Sequence, residues 1–297
     1  MIRLRPFVSP VSGAAIVAFL CYFCAGVASA ASPAQLLQSA RADFLSGKYA
    51  SASITYEKLL RQSLAASQLD EALPSFCEST LREGKLVKAE SLIAVSRAKL
   101  SDPTALGRLG YVEAEIFYFR GDMGGALEKY KEFVSSNTES QFANDAIDRL
   151  LLIDENSDYD NKPLIAYSRA EFFELTGAPD SSLSILRGLL RNFPDAKIAD
   201  DAHMKIGDIL RSQRKFTEAV GEYRAIEESF PKSGLVPVEK LKIAELYSEG
   251  LGERDKAVSE YEAVITAFPG TSFATEARAA LQRLKSGPGK LRERKTN

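Results

Sequence analysis

The chain has 297 residues, with 38 lysines and arginines against 40 aspartates and glutamates, and a formal net charge of −2. This slightly acidic balance argues against bulk nucleic-acid binding, which depends on basic side chains that neutralise phosphate charge. The single histidine, His203, excludes a multi-histidine metal site.

Residues 1–30 have the three-part pattern of a secretory signal peptide. Arg3 and Arg5 form a basic start, an apolar run covers residues 14–25, and Ala28-Ser29-Ala30 provides the small residues of a cleavage site. We expect cleavage after Ala30 and export to the periplasm or cell envelope. The alternative is an uncleaved membrane anchor, although the apolar run is short against the ~20 residues that a spanning helix needs.

The rest of the chain repeats itself with a period close to 37 residues. The sequence Gly47-Lys48-Tyr49-x-x-Ala52-x-x-x-Tyr56 returns from Gly84 and again from Gly121, in two steps of 37 residues. Apolar residues at three- and four-residue steps on both sides of each turn predict two helices per copy. Because no stretch alternates as a strand would, we predict an all-α fold of stacked helical hairpins.

This pattern resembles a known repeat family. A small residue in the first helix, glycine at the turn, an aromatic residue two positions later, then Ala, Tyr and Pro are typical of the tetratricopeptide repeat, and the resemblance covers Ser32 to Leu284. It implies a superhelical solenoid of about six repeats with a protein-binding role. Cys77 stands where other copies have Ala40 or Ala114, at the crossing of two helices, so we expect a buried thiol.

One interval departs from the period. Ala126 and Ser182 are 56 residues apart, which is one repeat plus 19 residues. The extra piece begins Phe142-Ala143-x-Asp145-Ala146 and resembles the first helix that begins at Ile198 and the helix that begins at Phe273. We therefore predict an extra helix between the third and fourth repeats and a capping helix at the C-terminal end.

These features divide the chain into five predicted segments. They are a signal peptide (1–30), an N-terminal lobe (31–156), a joint (157–163), a C-terminal lobe (164–284) and a basic disordered tail (285–297). The joint is predicted from a polar, acidic run that ends at Pro163. The alternative is a loop packed within one continuous superhelix. The tail is either a solvated terminus or a contact for anionic lipid or a partner.

The sequence offers no constellation for catalysis. The glycine-rich run from Gly121 to Gly125 follows a predicted helix and lacks a lysine, so it fails as a phosphate-binding loop. Asp201 and Asp208 lie near His203, but acids near a helix N-terminus are favoured without any metal. We therefore predict a non-enzymatic protein that needs no cofactor and no metal.

The family resemblance implies a concave groove lined by the first helices, and this groove is the candidate site. One position per repeat forms the acidic column, defined as Arg41, Glu78, Glu115, Glu171, Asp208 and Glu245. Exposed aromatic residues and one further acid are expected beside it, namely Phe44, Tyr111, Tyr118, Tyr167 and Glu174. Together they suit a partner segment that carries Lys or Arg. The alternative is that the acids pair with bases of neighbouring repeats and the aromatic residues only pack.

The Phe-Pro doublets, each followed by a new Ala-rich helix, resemble the repeat domains of the Tol–Pal coordinator and of the outer-membrane assembly lipoprotein. The resemblance implies an adaptor of the bacterial cell envelope, with a protein or peptide partner and peripheral contact with the outer membrane. An outer-membrane assembly or cell-division coordinating factor is one alternative. A self-assembling structural scaffold is another.

Overall fold

The computed structural model describes residues 31–286. The predicted signal peptide and most of the predicted basic tail lie outside these residues. Across residues 31–286, the helices are too short or too polar to cross a membrane.

Residues 31–286 contain fourteen α-helices and no strand, which confirms the all-α prediction. In chain order the helices are α1 Pro33–Leu45, α2 Tyr49–Leu59, α3 Ala66–Arg82, α4 Leu86–Arg97, α5 Pro103–Arg120, α6 Met123–Ser136, α7 Ala143–Glu155, α8 Lys162–Leu175, α9 Pro179–Asn192, α10 Ala199–Ser212, α11 Phe216–Ser229, α12 Val236–Glu245, α13 Arg254–Ala267 and α14 Ser272–Ser286.

Most helices pair as antiparallel hairpins, each with a first helix and a second helix. The pairs are α1 with α2, α3 with α4, α5 with α6, α8 with α9, α10 with α11, and α12 with α13. Each second helix also packs on the first helix that follows it, except that α6 packs on α7. This is the stacking expected when one repeat buries its apolar face against the next.

The turns of the hairpins explain the glycine period. Gly47, Gly84, Gly121 and Gly177 have φ values of 72°, 82°, 83° and 79°. Glycine adopts this left-handed conformation without the steric penalty of a Cβ atom, so it ends the first helix and reverses the chain. The fifth hairpin has Arg214 in the same conformation, with φ of 61°.

The sixth hairpin contains one extra residue, and the helix end absorbs it. Leu246–Gly250 forms a π-helical turn in which the Leu251 N–H donates to the Leu246 carbonyl over 2.8 Å. A π turn adds a residue without breaking the helix, so the register of α13 against α12 is preserved.

Small residues lie where the two helices of each hairpin cross. Ala40, Cys77, Ala114, Ala170 and Ala244 are all fully buried, and Gly207 is buried at the same position. A Cβ atom on Gly207 would lie 2.3 Å from the Tyr223 ring, so α11 leaves no room for a side chain there. The expected burial of Cys77 is confirmed, and its Sγ lies 3.7 Å from Ser96 Oγ.

Helix α7 is solitary, because α8 follows it directly and begins a new hairpin. Helix α8 packs on α5, where Phe119 and Phe172 rings lie 5.4 Å apart. It runs along the turns of earlier hairpins: Ile165 lies against Gly121, and Thr176, just after the helix, lies against Gly84.

One cluster of buried side chains continues from Cys77 to Ala280, on both sides of the predicted joint. A smaller cluster, which includes Tyr56 and Phe76, packs the first hairpin against α3 of the second hairpin. Tyr159, Asp160 and Asn161, within the joint, have positive φ values between 50° and 60°. The division into two lobes stays a prediction.

Candidate partner-binding column

The acidic column lies on successive first helices, and each acid has a basic neighbour on another helix. Asp208 accepts from Lys242 Nζ over 2.5 Å, and Glu78 accepts from Arg108 over 2.8 Å. The base in each pair comes from the next first helix along the chain, 34 and 30 residues later. The column is therefore a ladder of ion pairs between stacked helices.

Two tyrosines on second helices donate further hydrogen bonds to acids of the column. Tyr223 donates its hydroxyl to Asp208 over 2.6 Å, and Tyr130 donates to Glu115; each tyrosine lies 15 residues after its acid. The fourth hairpin has Leu186 at the corresponding position. There Tyr118, from the preceding first helix, donates to Glu171 over 2.7 Å instead.

Arg149 of α7 joins two members of the column. Its guanidinium donates to Glu171 over 2.7 Å and to Glu115 over 3.4 Å, and its Cζ lies 4.3 Å from the centre of the Tyr118 ring. Burial would raise the pKa of Glu171, but Arg149 and then Lys205 bring it below the ordinary value. Glu171 therefore stays ionised inside the network.

The tyrosines of the proposed groove are interior side chains, which corrects the expectation that they are exposed. Tyr118 has no exposed surface and Tyr167 is 6% exposed. Tyr111 is half-buried and stacks on Phe142, with ring centres 4.8 Å apart. The cause is the close approach of neighbouring first helices, which the single-repeat pattern does not specify. The alternative stated above, in which the aromatic residues of the groove only pack, therefore describes these three tyrosines.

Phe44 lies at the N-terminal end of the column and is half-buried. Its ring meets Tyr49 edge-on, with centres 5.6 Å apart, and the guanidinium of Arg108 lies 5.3 Å from its centre. Phe44 therefore packs between the first hairpin and the third.

The acids differ in how far water reaches them. Glu78, Glu115 and Glu171 have side chains that are 11%, 13% and 14% exposed. Glu174, Asp208 and Glu245 are 43%, 41% and 33% exposed. Glu245 pairs with Arg211 over 3.0 Å, and Glu174 pairs with Lys205 over 3.3 Å. Solvent therefore reaches the last two acids of the column, Asp208 and Glu245, and the neighbouring Glu174 more readily than the three earlier acids.

The basic residues that pair with the acids of the column were not identified from the sequence. Arg108, Lys205 and Lys242 stand on first helices and Arg149 stands on α7. Three of these four bases come 34 residues after an acid of the column. An acid and a base at this constant separation, close to the repeat length, would have indicated pairing between stacked first helices.

Part of the chain matches a known protein family. Residues 201–233 and 240–271 match the family model described as Tetratricopeptide repeat. These two segments resemble tetratricopeptide repeats. The two matched segments begin within α10 and α12 and cover most of the fifth and sixth hairpins. A search of curated proteins gave no match.

Solved tetratricopeptide-repeat structures are similar to the chain at low identity. The TPR2AB domain of yeast Sti1 in complex with pHSP90 is 12% identical, with a TM-score of 0.36, over 85% of this chain and 98% of that one. A tetratricopeptide repeat protein from Parabacteroides merdae is 15% identical, with a TM-score of 0.34, over 84% and 99%. PilF of Pseudomonas aeruginosa is 13% identical, with a TM-score of 0.32, over 84% and 97%.

Proposed function

We propose that this protein is a non-enzymatic adaptor of the bacterial cell envelope, which binds a basic peptide segment of another protein along its acidic column. Stacked helical repeats generally use extended inner surfaces for protein binding. The observation that carries the proposal is the difference in exposure among the acids. Asp208 and Glu245 of the column, and the neighbouring Glu174, are accessible, whereas the three earlier acids of the column are mostly buried.

The accessible acids are held in place before any partner binds. Asp208 is fixed by Tyr223 and Lys242, and Glu245 by Arg211. Preorganised carboxylates lose little side-chain freedom on binding, which favours affinity. A partner's Lys or Arg would add charge-assisted hydrogen bonds to oxygens that the internal bases do not saturate.

A peptide-display selection tests this role directly. We expect the purified protein to enrich Lys- or Arg-containing peptides, and the variant Glu174→Gln/Asp208→Asn/Glu245→Gln to bind them roughly tenfold more weakly or worse. The matched control is Glu128→Gln/Glu218→Gln/Asp255→Asn, which neutralises three exposed acids on second helices. Equal loss in both variants, or enrichment of peptides without basic residues, would show that the column is not the binding site.

The envelope location is a separate part of the proposal and rests on the pattern of residues 1–30. N-terminal sequencing of the protein from fractionated bacterial cells tests it. A periplasmic or envelope protein that begins at Ala31 supports the proposal. A cytoplasmic protein that retains residues 1–30 contradicts the location and leaves the peptide-binding test unaffected.

A further inference from the structure

Helix α7 has the sequence register of a first helix. Aligned on Ala146 and Ala202, its Leu151 corresponds to Gly207 of α10, and its Ile147 corresponds to His203. In the hairpins the second helix covers the position of Gly207. In the fifth hairpin, for example, the Tyr223 ring lies over Gly207. Within the described residues α7 is followed by α8 and has no second helix of its own.

The face that a second helix would cover is therefore open on α7, and it is apolar. Leu151 is 52% exposed and Ile147 is 40% exposed. The two residues are four positions apart, so their side chains lie together on one side of the helix.

Helix α14 shows what the same face is like when it serves as a cap. It also has the register of a first helix, and its Arg278 and Gln282 stand where α7 has Ile147 and Leu151. Both residues of α14 are exposed. A polar outer face is the usual requirement for a helix that ends a stack, because it keeps the protein soluble. The apolar pair on α7 departs from this requirement in the same fold.

The charges around the apolar pair define what could cover it. Asp148, Asp154 and Glu155 are exposed on the same side of α7. The only base of α7 is Arg149, and its guanidinium is engaged with Glu115 and Glu171. Asp154 and Glu155 also stand at the C-terminal end of the helix, where the helix dipole disfavours negative charge.

We propose that the open face of α7 binds an amphipathic helix of another protein, which has an apolar stripe flanked by lysine or arginine and takes the place of the missing second helix. An antiparallel helix would bring its own N-terminal end to Asp154 and Glu155. Its apolar stripe would cover Ile147 and Leu151, as α11 covers α10. A second copy of this chain is a poorer occupant, since two such faces would bring their acids together.

This surface is separate from the acidic column. The column faces the interior side of α7, through Arg149, whereas Ile147 and Leu151 lie on its solvent side. The two proposals can therefore fail independently.

The test measures binding of a synthetic helical peptide by fluorescence anisotropy, with Glu174→Gln/Asp208→Asn/Glu245→Gln present in every protein compared so that the acidic column does not bind the lysines. The peptide carries Ala, Tyr and Ile at the spacing of Ala219, Tyr223 and Ile226 and lysine at its other positions; a second peptide has glutamate in place of lysine. We expect saturable binding of the lysine peptide only. The variant Ile147→Arg/Leu151→Gln, which copies the face of α14, should weaken binding at least tenfold.

The control variant is Val87→Arg/Val95→Gln, which changes two apolar residues on α4 that are 76% and 55% exposed. It should bind the lysine peptide as the parent triple variant does. Circular dichroism should show that both variants keep their helix content and melting temperature. Absence of binding, equal binding by the α7 variant, or equal binding of the glutamate peptide overturns the proposal. A dimer that the α7 variant abolishes also overturns it, because the occupant would then be a second copy.

Discussion

The guanidinium of Arg149 donates a hydrogen bond of 2.7 Å to the carboxylate of Glu171, and this contact joins the solitary helix α7 to α8. The same guanidinium reaches Glu115 of α5 over 3.4 Å. One side chain thus connects the third hairpin, the extra helix and the fourth hairpin. The predicted joint, residues 157–163, includes most of the connection between α7 and α8.

Replacement of Arg149 by methionine should destabilise the fold strongly. It would leave Glu115 and Glu171 buried without their shared cation, and breaking one side of a buried ion pair costs about 3–5 kcal/mol of unfolding free energy. Urea denaturation followed by circular dichroism measures this change. The control, Arg187→Met, alters an exposed arginine and should change the unfolding free energy by less than about 0.5 kcal/mol. Similar effects for both variants would show that the ion pairs of Arg149 do not contribute specifically to stability.

Replacement of Glu239 by alanine should stabilise the protein. It is 1% exposed, and neither carboxylate oxygen has a hydrogen-bond partner within the described residues. The corresponding residue of α10 is Ala202, which is fully buried. Removal of an unsatisfied buried carboxyl group should raise the unfolding free energy at pH 7 by about 1–3 kcal/mol. A lower unfolding free energy for Glu239→Ala would contradict this.

The same residue should make stability depend on pH. Burial, with smaller contributions from Glu227 and Glu260, raises the pKa of Glu239 from 4.5 to about 8. Between these two values the folded protein keeps a proton that the unfolded chain releases, so the unfolding free energy should fall as pH rises through this window. The decline should be smaller in Glu239→Ala. Denaturation curves at several pH values from 4.5 to 8.5 provide the measurement, and equal slopes for the two proteins would refute the assignment.

Arg214→Gly should stabilise the fifth hairpin. Arg214 is held at a φ of 61°, a left-handed conformation that is unfavourable by roughly 1–2 kcal/mol for a residue with a Cβ atom. The greater freedom of glycine in the unfolded chain offsets part of this gain, so we expect about 0.5–1 kcal/mol. Gly177→Ala is the reciprocal control, since φ there is 79° and a Cβ atom would meet nothing within 4 Å. Thermal melts should shift in opposite directions for the two variants, and parallel shifts would exclude backbone strain as the cause.

The thiol of Cys77 should react only when the protein unfolds. It is fully buried, and burial raises its pKa to about 11. Thiolate is the reactive form, so both access and ionisation oppose modification of the folded protein. An aromatic disulfide reagent, added across a urea gradient to the chain from Ala31 onward, should label Cys77 in step with the loss of helix signal. Rapid labelling without urea would show that the first two hairpins open locally.

The period of the sequence predicts the hairpins well because it depends on local rules. A left-handed glycine at Gly47 or Gly84, and a small residue at Ala40 or Ala114, report directly on one turn and one crossing. Even the solitary helix α7 follows from the 19-residue excess. The glycine and small-residue positions depend only on contacts within one hairpin, and the presence of α7 follows from the length of the excess.

The exposure of the groove could not be predicted in the same way. Tyr118 is buried because α7 places Arg149 against its ring and α8 offers Glu171 to its hydroxyl. Both helices belong to the region where the period fails, so the pattern of other repeats gives no guide to their positions. Pairing between successive first helices depends on the distance between repeats, which a single repeat motif does not contain.

The order in which the chain is synthesised gives the position of α8 a consequence for folding. The turns at Gly84 and Gly121 find their packing partners in Thr176 and Ile165. The second and third hairpins therefore leave the ribosome with this edge uncovered, and it stays so until residue 176 has emerged. In an array of simple repeats, each repeat can pack on the one before it as soon as it is synthesised. In this protein the second and third hairpins complete their packing only after α8 has been synthesised. A nascent chain halted before that point would be the form that a chaperone or a protease meets first.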